Sequence, residues 1–322
     1  MDQFFGILNY LMFLVTMGGI YGVMALGLNL QWGLTGLFNV GVAGFFAIGA
    51  YVSAIVTTAE TSKHLGGYDL PFGAGLVAAM ICSGIVAWGI GRICIRLRSD
   101  YLAIATIGIA EILRLILKNE AWATNGSRGI SNISRPFETL PQPWGPVAYM
   151  LLVFAILFVV YWFLERGQAA PWGRVMRAIR DNELAARAAG KNIERFRIEA
   201  FVIGSALMGL GGALMAHFFK YIGPEATDPL LTTFLVWVML VVGGSGNNRG
   251  AILGAMVIWT LWSATEIVTS RFSGEWAVRV PFLRMFLIGL LLQVVLQKFS
   301  LGILPEKLPE GRTNQEPAAS DD

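Results

Sequence analysis

Long apolar runs separated by short polar turns dominate this chain, and within each run the apolar residues are continuous rather than alternating. Runs at residues 5–30, 37–58, 72–91, 101–117, 147–164, 200–219 and 250–270 lie near the roughly 20 residues that a helix needs to cross a hydrocarbon core. A last span is expected over residues 281–296. The run at 230–242, about 13 residues long, is too short to cross unaided, and it ends in GGSGNNRG, a sharp turn by its glycines and asparagines. Continuous runs do not fit the alternating strands of a transmembrane barrel. The expected fold is therefore an all-α polytopic membrane protein of about eight or nine transmembrane helices, one or two of them broken or re-entrant.

The polar residues inside the first two runs mark where such a break belongs. Nine glycines fall between Gly18 and Gly49 (18, 19, 22, 27, 33, 36, 41, 44, 49), with Asn29, Gln31 and Asn39 among them. A single glycine in a span commonly serves close helix packing. The cluster as a whole, with its amides, predicts unwound backbone beside a transport path, because such backbone is tolerated only when buried in protein or lining a cavity. The candidate path residues are Asn29, Gly33, Gly36, Asn39 and Gly41, joined by Glu111 and Arg114. The last two stand three apart on one helical face and can pair.

Composition agrees with the pattern. Of 322 residues, 55% are hydrophobic and 14% charged, with a mean hydropathy of +0.62, whereas a soluble domain carries about 25% charged residues. The net charge of +3 matters less than its placement. Eight basic residues (Arg166, Arg174, Arg177, Arg180, Arg187, Lys191, Arg195, Arg197) and three acidic ones (Asp181, Glu183, Glu194) crowd into residues 166–197. That loop and the turn holding Arg92, Arg96 and Arg98 are expected on the cytoplasmic side, and parity then places residues 119–146 and 220–229 outside. Cys82 and Cys94 suggest neither a disulfide framework nor a metal site. The N-terminal run reads as a retained first span and not as a signal peptide. Residues 1–304 form the expected transmembrane domain, with a cytoplasmic loop at about 166–199. Residues 305–322, rich in proline and mixed charge, are expected to be a disordered tail.

Motifs for chemistry are sparse. No phosphate loop occurs: Gly190-Lys191 is followed by Asn and lacks the upstream glycine. His64 and His217 are far apart and form no metal-ligand pattern, and His217, at a span end, reads as an interfacial residue. No nucleophile elbow or carboxylate pair points to a membrane enzyme, and the spans carry too few ionisable groups for a proton relay. Nothing points to nucleic acid or a cofactor. The chain reads as a pathway through the lipid bilayer whose motor lies elsewhere.

Four stretches carry a resemblance to a known family. Glu183, Ala185, Ala186 and Gly190 resemble the Glu-Ala-Ala…Gly motif in the coupling loop of ABC importer permeases, with Leu184 as an extra residue. GLNLQWGLTGLFNVGVAGFFAIGAY, ATIGIAEILRLILKN with NGSRGI, and RAIRDNELAARAAGKNIERFRIEAFVIGSALMGLGGAL with VVGGSGNNRGAILGA are similar to the successive signatures of the branched-chain amino acid permease family. The arrangement, over about residues 15–298, is closest to the LivM type of the LivM/LivH pair. Asn247 and Ala251 stand where Thr or Ser and Pro are common in that family, and Thr124-Asn125-Gly126 replaces a frequent double glycine. The resemblance implies the ABC importer permease architecture in a bacterial cytoplasmic (inner) membrane. It also implies a second, LivH-like permease, two cytoplasmic ATPase subunits and an extracytoplasmic substrate-binding protein as partners. ATPase coupling would fall to Arg180, Asp181, Glu183, Ala185, Ala186 and Gly190. The implied solutes are branched-chain or other neutral amino acids. Urea or short amides in the same importer class, and a stand-alone secondary transporter, are the alternatives.

Overall fold

The computed structural model describes residues 2–61, 64–269 and 301–306, with scattered positions between 279 and 298. Most of the expected last span, the side chain of Glu266 and residues 307–322 of the expected tail lie outside the described residues. The first apolar run forms α1 (Asp2–Leu28), continued by a π-helical turn (Asn29–Gly33). Then come α2 (Val42–Thr57), α3 (Phe72–Cys94), α4 (Ser99–Asn119) and a short α5 (Ala121–Thr124), followed by a two-residue strand β1 (Ile130–Ser131). The second half holds α6 (Trp144–Ala169), α7 (Pro171–Asp181), α8 (Glu183–Ala188), α9 (Ile193–Phe219), the strand β2 (Tyr221–Ile222), α10 (Pro229–Gly243) and α11 (Asn248–Thr269). Proline stands at or just before the first residue of α3, α6, α7 and α10, where a missing N–H breaks no helical bond.

Among the described residues, four helices are long and apolar enough to cross a membrane: Gly6–Gly33, α3, α6 and α9. They divide into two kinds. The first and last have 78% and 72% of their apolar windows buried inside the protein, against 28% for α3 and α6. So α1 and α9 form the interior of the bundle, and α3 and α6 turn most of their apolar surface outward. Outside a soluble setting, such surface is matched by lipid or by another membrane chain. The protein is a multi-pass membrane protein.

The interior helices touch backbone to backbone. A Cβ at Gly49 in α2 would overlap the backbone of Gly209 in α9, and one at Gly212 would overlap the carbonyl of Phe46. Gly27 and Gly204 stand in the same relation, each within 2.6 Å of the other's carbonyl by that measure. These glycines replace side-chain packing with close approach, which is the device available to helices that gain nothing from expelling water. At the end away from the arginines, β1 pairs antiparallel with β2, Ile130 opposite Ile222. The two loops expected on one side by parity thus meet there.

Replacing Gly49 by Val should collapse the α2–α9 contact and cost more than the roughly 1–3 kcal/mol usual for overpacking, because backbone cannot rotate away. Gly89 of α3 has nothing within 4 Å of a built Cβ, and Gly89→Ala should hold or slightly raise stability. The melting temperatures of the two purified variants should split accordingly. Equal melting for both would show that the close contact carries no such constraint.

Candidate functional site

The chain leaves α geometry where its amides cluster. After the π turn, residues 36–41 are non-helical, and α2 begins at Val42 rather than at residue 37. Gly36 has φ +70°, a conformation disfavoured for other residues. The break is buried, and Asn29, Gln31 and Asn39 have no exposed surface. Asn39 bonds backbone of the break itself, whereas Asn29 and Gln31 tie the break to neighbouring elements. The Asn29 Oδ1 accepts from the Gly246 N–H at 2.7 Å, and its Nδ2 donates to Asn248 Oδ1 at 2.9 Å. Gln31 donates to the Phe201 carbonyl at 2.8 Å and to Ser205 Oγ at 3.1 Å in α9. Asn39 donates to Gln31 Oε1 at 2.8 Å and accepts from the Gly41 N–H at 2.8 Å, while Trp237 Nε1 donates to the Asn39 carbonyl at 3.0 Å. A helix broken inside an apolar bundle has no water to satisfy it. The Gly41 N–H, the Val40 N–H and the Asn39 carbonyl find partners instead in the Asn39 side chain, Thr106 (3.0 Å) and Trp237.

The charged loop folds as two short helices against this break. Arg180, at the end of α7, donates one Nη to the Gly33 carbonyl and lies against Gly36. Its other Nη pairs with Glu306 at 2.8 Å. After Arg180, Asn182 caps α8, its side chain accepting from the Ala185 N–H at 3.0 Å. Glu183 ties α8 to its own next turn and to α9, through Arg187 at 2.8 Å and Arg197 at 2.9 Å. Below α8, Ala186 is buried with Ile179 and Ile193 in a small apolar core. On its outer side Ala185, Ala188 and Ala189 are exposed, and Leu184 is 76% exposed. Gly190, at φ +74°, closes the helix: its N–H reaches the Arg187 carbonyl and the Lys191 N–H reaches that of Ala186. This is the double-bonded glycine stop of a helix, and a Cβ is disfavoured there by conformation rather than by contact. Asp181 is exposed beside Arg180.

The structure thus brings Gly33, Gly36 and Arg180 together and sets Asn29 and Asn39 just behind them, joined through hydrogen-bonded neighbours. Gly41 caps α2 beside Asn39, where a Cβ would press on the Thr106 carbonyl. Glu111 and Arg114 are apart from this group. They form the expected pair, with one bond of 2.9 Å, on a half-exposed face of α4. His217 differs from its reading as an interfacial residue. It is fully buried, because the loop after β1 folds over the end of α9. Its Nδ1 donates to the Ser134 carbonyl at 2.6 Å, and its Nε2 lies 2.8 Å from Ser53 Oγ in α2. A carbonyl can only accept, so Nδ1 carries a proton.

Several partners have no signal in the sequence. Asn248 sits in a stretch that reads only as a turn, yet it receives Asn29 and Gln168 (3.0 Å) on one atom and donates to Glu165 at 3.2 Å. Glu165, Gln168, Arg177, Asn247, Arg249 and Glu306 line a polar crevice of about 250 Å³ beside that turn. Glu165 and Asn248 lie 83 residues apart, and nothing local to either marks the other.

The geometry is that of a multi-pass membrane protein with a helix broken inside its bundle and a charged two-helix loop packed on the break. Comparison with known proteins gives the family. Residues 10–296 match the branched-chain amino acid transport system permease component, and the chain belongs to that family. It is 33% identical over 268 residues to the high-affinity branched-chain amino acid transport system permease protein LivM of Salmonella typhimurium, covering 76% of this chain and 61% of that relative. It is 30% identical over 318 residues to the probable branched-chain amino acid transport permease protein LivM of Methanocaldococcus jannaschii, covering 90% and 91%. The LivH permease of Escherichia coli is 25% identical over 307 residues, covering 90% and 95%. The chain therefore spans under two thirds of the length of the bacterial LivM relative but nearly all of the archaeal one. No solved structure matches it.

Asn29→Leu leaves the buried Gly246 N–H without its acceptor and takes from Asn248 Oδ1 one of its two donors, Gln168 remaining. The expected cost is about 1–3 kcal/mol for the N–H left unpaired. Thermal unfolding of the purified chain should show the loss, with Asn29→Asp, which keeps the acceptor, losing less. A Leu variant as stable as the parent would show that the amide does not hold the break.

Proposed function

We propose that this chain is the permease subunit of an ATP-driven importer of branched-chain amino acids, working in a bacterial cytoplasmic membrane. Its partners in this reading are a second permease of the LivH kind, two cytoplasmic ATPase subunits and an extracytoplasmic binding protein. Family membership supports the class. The observation that carries the mechanism is the placement of Arg180, which grips the carbonyl of Gly33 from the charged loop. In this reading α8 is the surface the ATPase holds. Its outer face is slim, with Ala185, Ala188 and Ala189 exposed and Leu184 projecting, while its inner face is fixed by Ala186 and by Glu183. A docking element must be rigid to pass on a displacement. The Asn182 cap, the Gly190 stop and the Glu183 bridges supply that rigidity at both ends of six residues.

From α8 the displacement has two routes inward. One runs through Arg180 to the unwound segment between α1 and α2. The other runs through Arg197 and Ile193 into α9, whose glycine face abuts α1 and α2. The arginines of the loop also hold its side of the membrane, by the bias of cationic loops toward the cytoplasm. Residues Asn29, Gly33, Gly36, Asn39 and Gly41 are then the hinge of the path rather than its lining. The paired Glu111 and Arg114 present a mostly neutralised face from α4.

The importer reconstituted in liposomes with its neighbouring permease, ATPases and binding protein should take up radiolabelled leucine only with ATP inside. Glu183→Lys replaces the bridge to Arg187 and Arg197 with repulsion. It should lower uptake about tenfold, within the usual range of inter-site coupling, while the ATPase still hydrolyses ATP. Uptake that survives ATP depletion but not an ionophore would identify a secondary transporter instead. ATP-dependent uptake of urea without leucine would move the substrate to short amides.

A further inference from the structure

The last described segment, residues 301–306, lies along the α10–α11 turn. The Ile303 N–H donates to the Val242 carbonyl and the Leu304 N–H to that of Gly243, both at 2.9 Å. Gly302, at φ +75°, abuts Gly244, and Asn247 Nδ2 brackets the segment from the other side by donating to the carbonyls of Leu304 (3.3 Å) and Pro305 (3.1 Å). The segment ends by placing Glu306 between two elements. Its carboxylate pairs with Arg180 at 2.8 Å, the two side chains being 18% and 25% exposed. It also lies against Gly246, where any Cβ would come within 2.7 Å of Oε2. Gly246 is the residue whose N–H binds Asn29. Pro305 and Glu306, which composition assigns to a disordered tail, are thus docked at the centre of the polar seam.

We propose that Glu306 is a positioning residue for energy coupling, locking Arg180 of the charged loop to the α10–α11 turn. This rests on the importer reading above and extends it. Arg180 grips two things at once: the Gly33 carbonyl on one side and the strapped turn, through Glu306, on the other. A shift of α7 therefore moves the helix break and the α10–α11 hairpin together. Without Glu306, Arg180 still reaches Gly33, and the hairpin follows less directly, through the bonds of Asn29 to Gly246 and Asn248 and through the path from Arg177 to the Gln168 carbonyl and from the Gln168 side chain to Asn248. Charge and place both matter. An anion is needed to pair with Arg180, and it must arrive from a strap already bonded to the turn.

The test compares wild type with E306Q, E306K, E306D and the double variant R180A/E306Q. In the reconstituted importer, E306K should raise ATP consumed per leucine transported about tenfold, a magnitude typical of coupling between sites. E306Q should raise it less, and E306D should stay near wild type. R180A/E306Q should be no worse than R180A, since both changes break one link. Hydrogen exchange of the purified chain supplies a readout that needs no transport. The Ile303 and Leu304 amides should exchange faster in E306Q. Faster exchange with an unchanged ratio of ATP to leucine would reduce the strap to a structural clamp and overturn the coupling role. Unchanged exchange and ratio in E306K would overturn the link itself. A wild-type complex that moves no branched-chain amino acid would sink the importer reading and this role with it. A wild type that transports beside indifferent Glu306 variants would sink this role alone.

Discussion

A helix interrupted inside an apolar bundle must find internal partners for every amide and carbonyl it releases, because lipid offers none. Much of this structure is arranged around that requirement. The break between α1 and α2 is bounded by Asn29 and Asn39, with Gln31 between them, and all three are sealed from solvent. What each amide binds decides where other elements sit. Gln31 fixes the register of α9 through the Phe201 carbonyl and Ser205. Asn29 draws in the α10–α11 turn through Gly246 and Asn248. Asn39, held by Trp237, sets the start of α2. The break is therefore a junction rather than a defect.

The same requirement explains the charged loop. Gly33 leaves a carbonyl at the edge of the break, and a guanidinium is well suited to it: planar, permanently charged and able to serve two acceptors. Arg180 uses one Nη there and the other on Glu306. A charge partly withdrawn from water in this way gains from a partner with good geometry, since an unpaired one is costly. The strap that carries Glu306 is held by the very turn that Asn29 contacts. Four segments distant in sequence thus close one polar circuit: the π turn, α7, the α10–α11 turn and residues 301–306.

How far the sequence revealed this follows from range. Four of the expected spans, Gly6–Gly33, α3, α6 and α9, were legible because continuous apolar runs have few other uses. The break was legible because glycines and amides within an apolar run cost too much to be incidental. The glycine stop at Gly190 was legible as a motif position, though its reason, a positive φ with both capping bonds, needed coordinates. The partners were not legible. Arg180 and Gly33 are 147 residues apart, and nothing local to either marks the other. Glu306 was hidden by its surroundings, since proline and mixed charge read as tail. Asn248 was hidden by its turn. His217 was misplaced because a span end predicts exposure only when no loop folds over it.

Both ends of the bundle are fastened to the same helix, and this constrains how it can move. At the arginine-rich end α9 starts from the Asn192 cap and takes the Glu183 bridge at Arg197. At the other end it holds Ser53 and the Ser134 carbonyl through His217, and the Leu214 carbonyl accepts from Tyr149 at 2.6 Å. These points lie on one unbroken helix of 27 residues, about 40 Å long at the usual rise. Sliding along its neighbours is opposed by Gly204, Gly209 and Gly212, because each sits within backbone contact of another helix and a shifted register would bring side chains into those gaps. A push at α8 can therefore tilt or rotate α9 as a body, carrying α1 and α2 with it, but cannot draw it lengthwise. The unwound residues 36–41, which no regular helix bonds tie down, are where such a rotation is most easily absorbed.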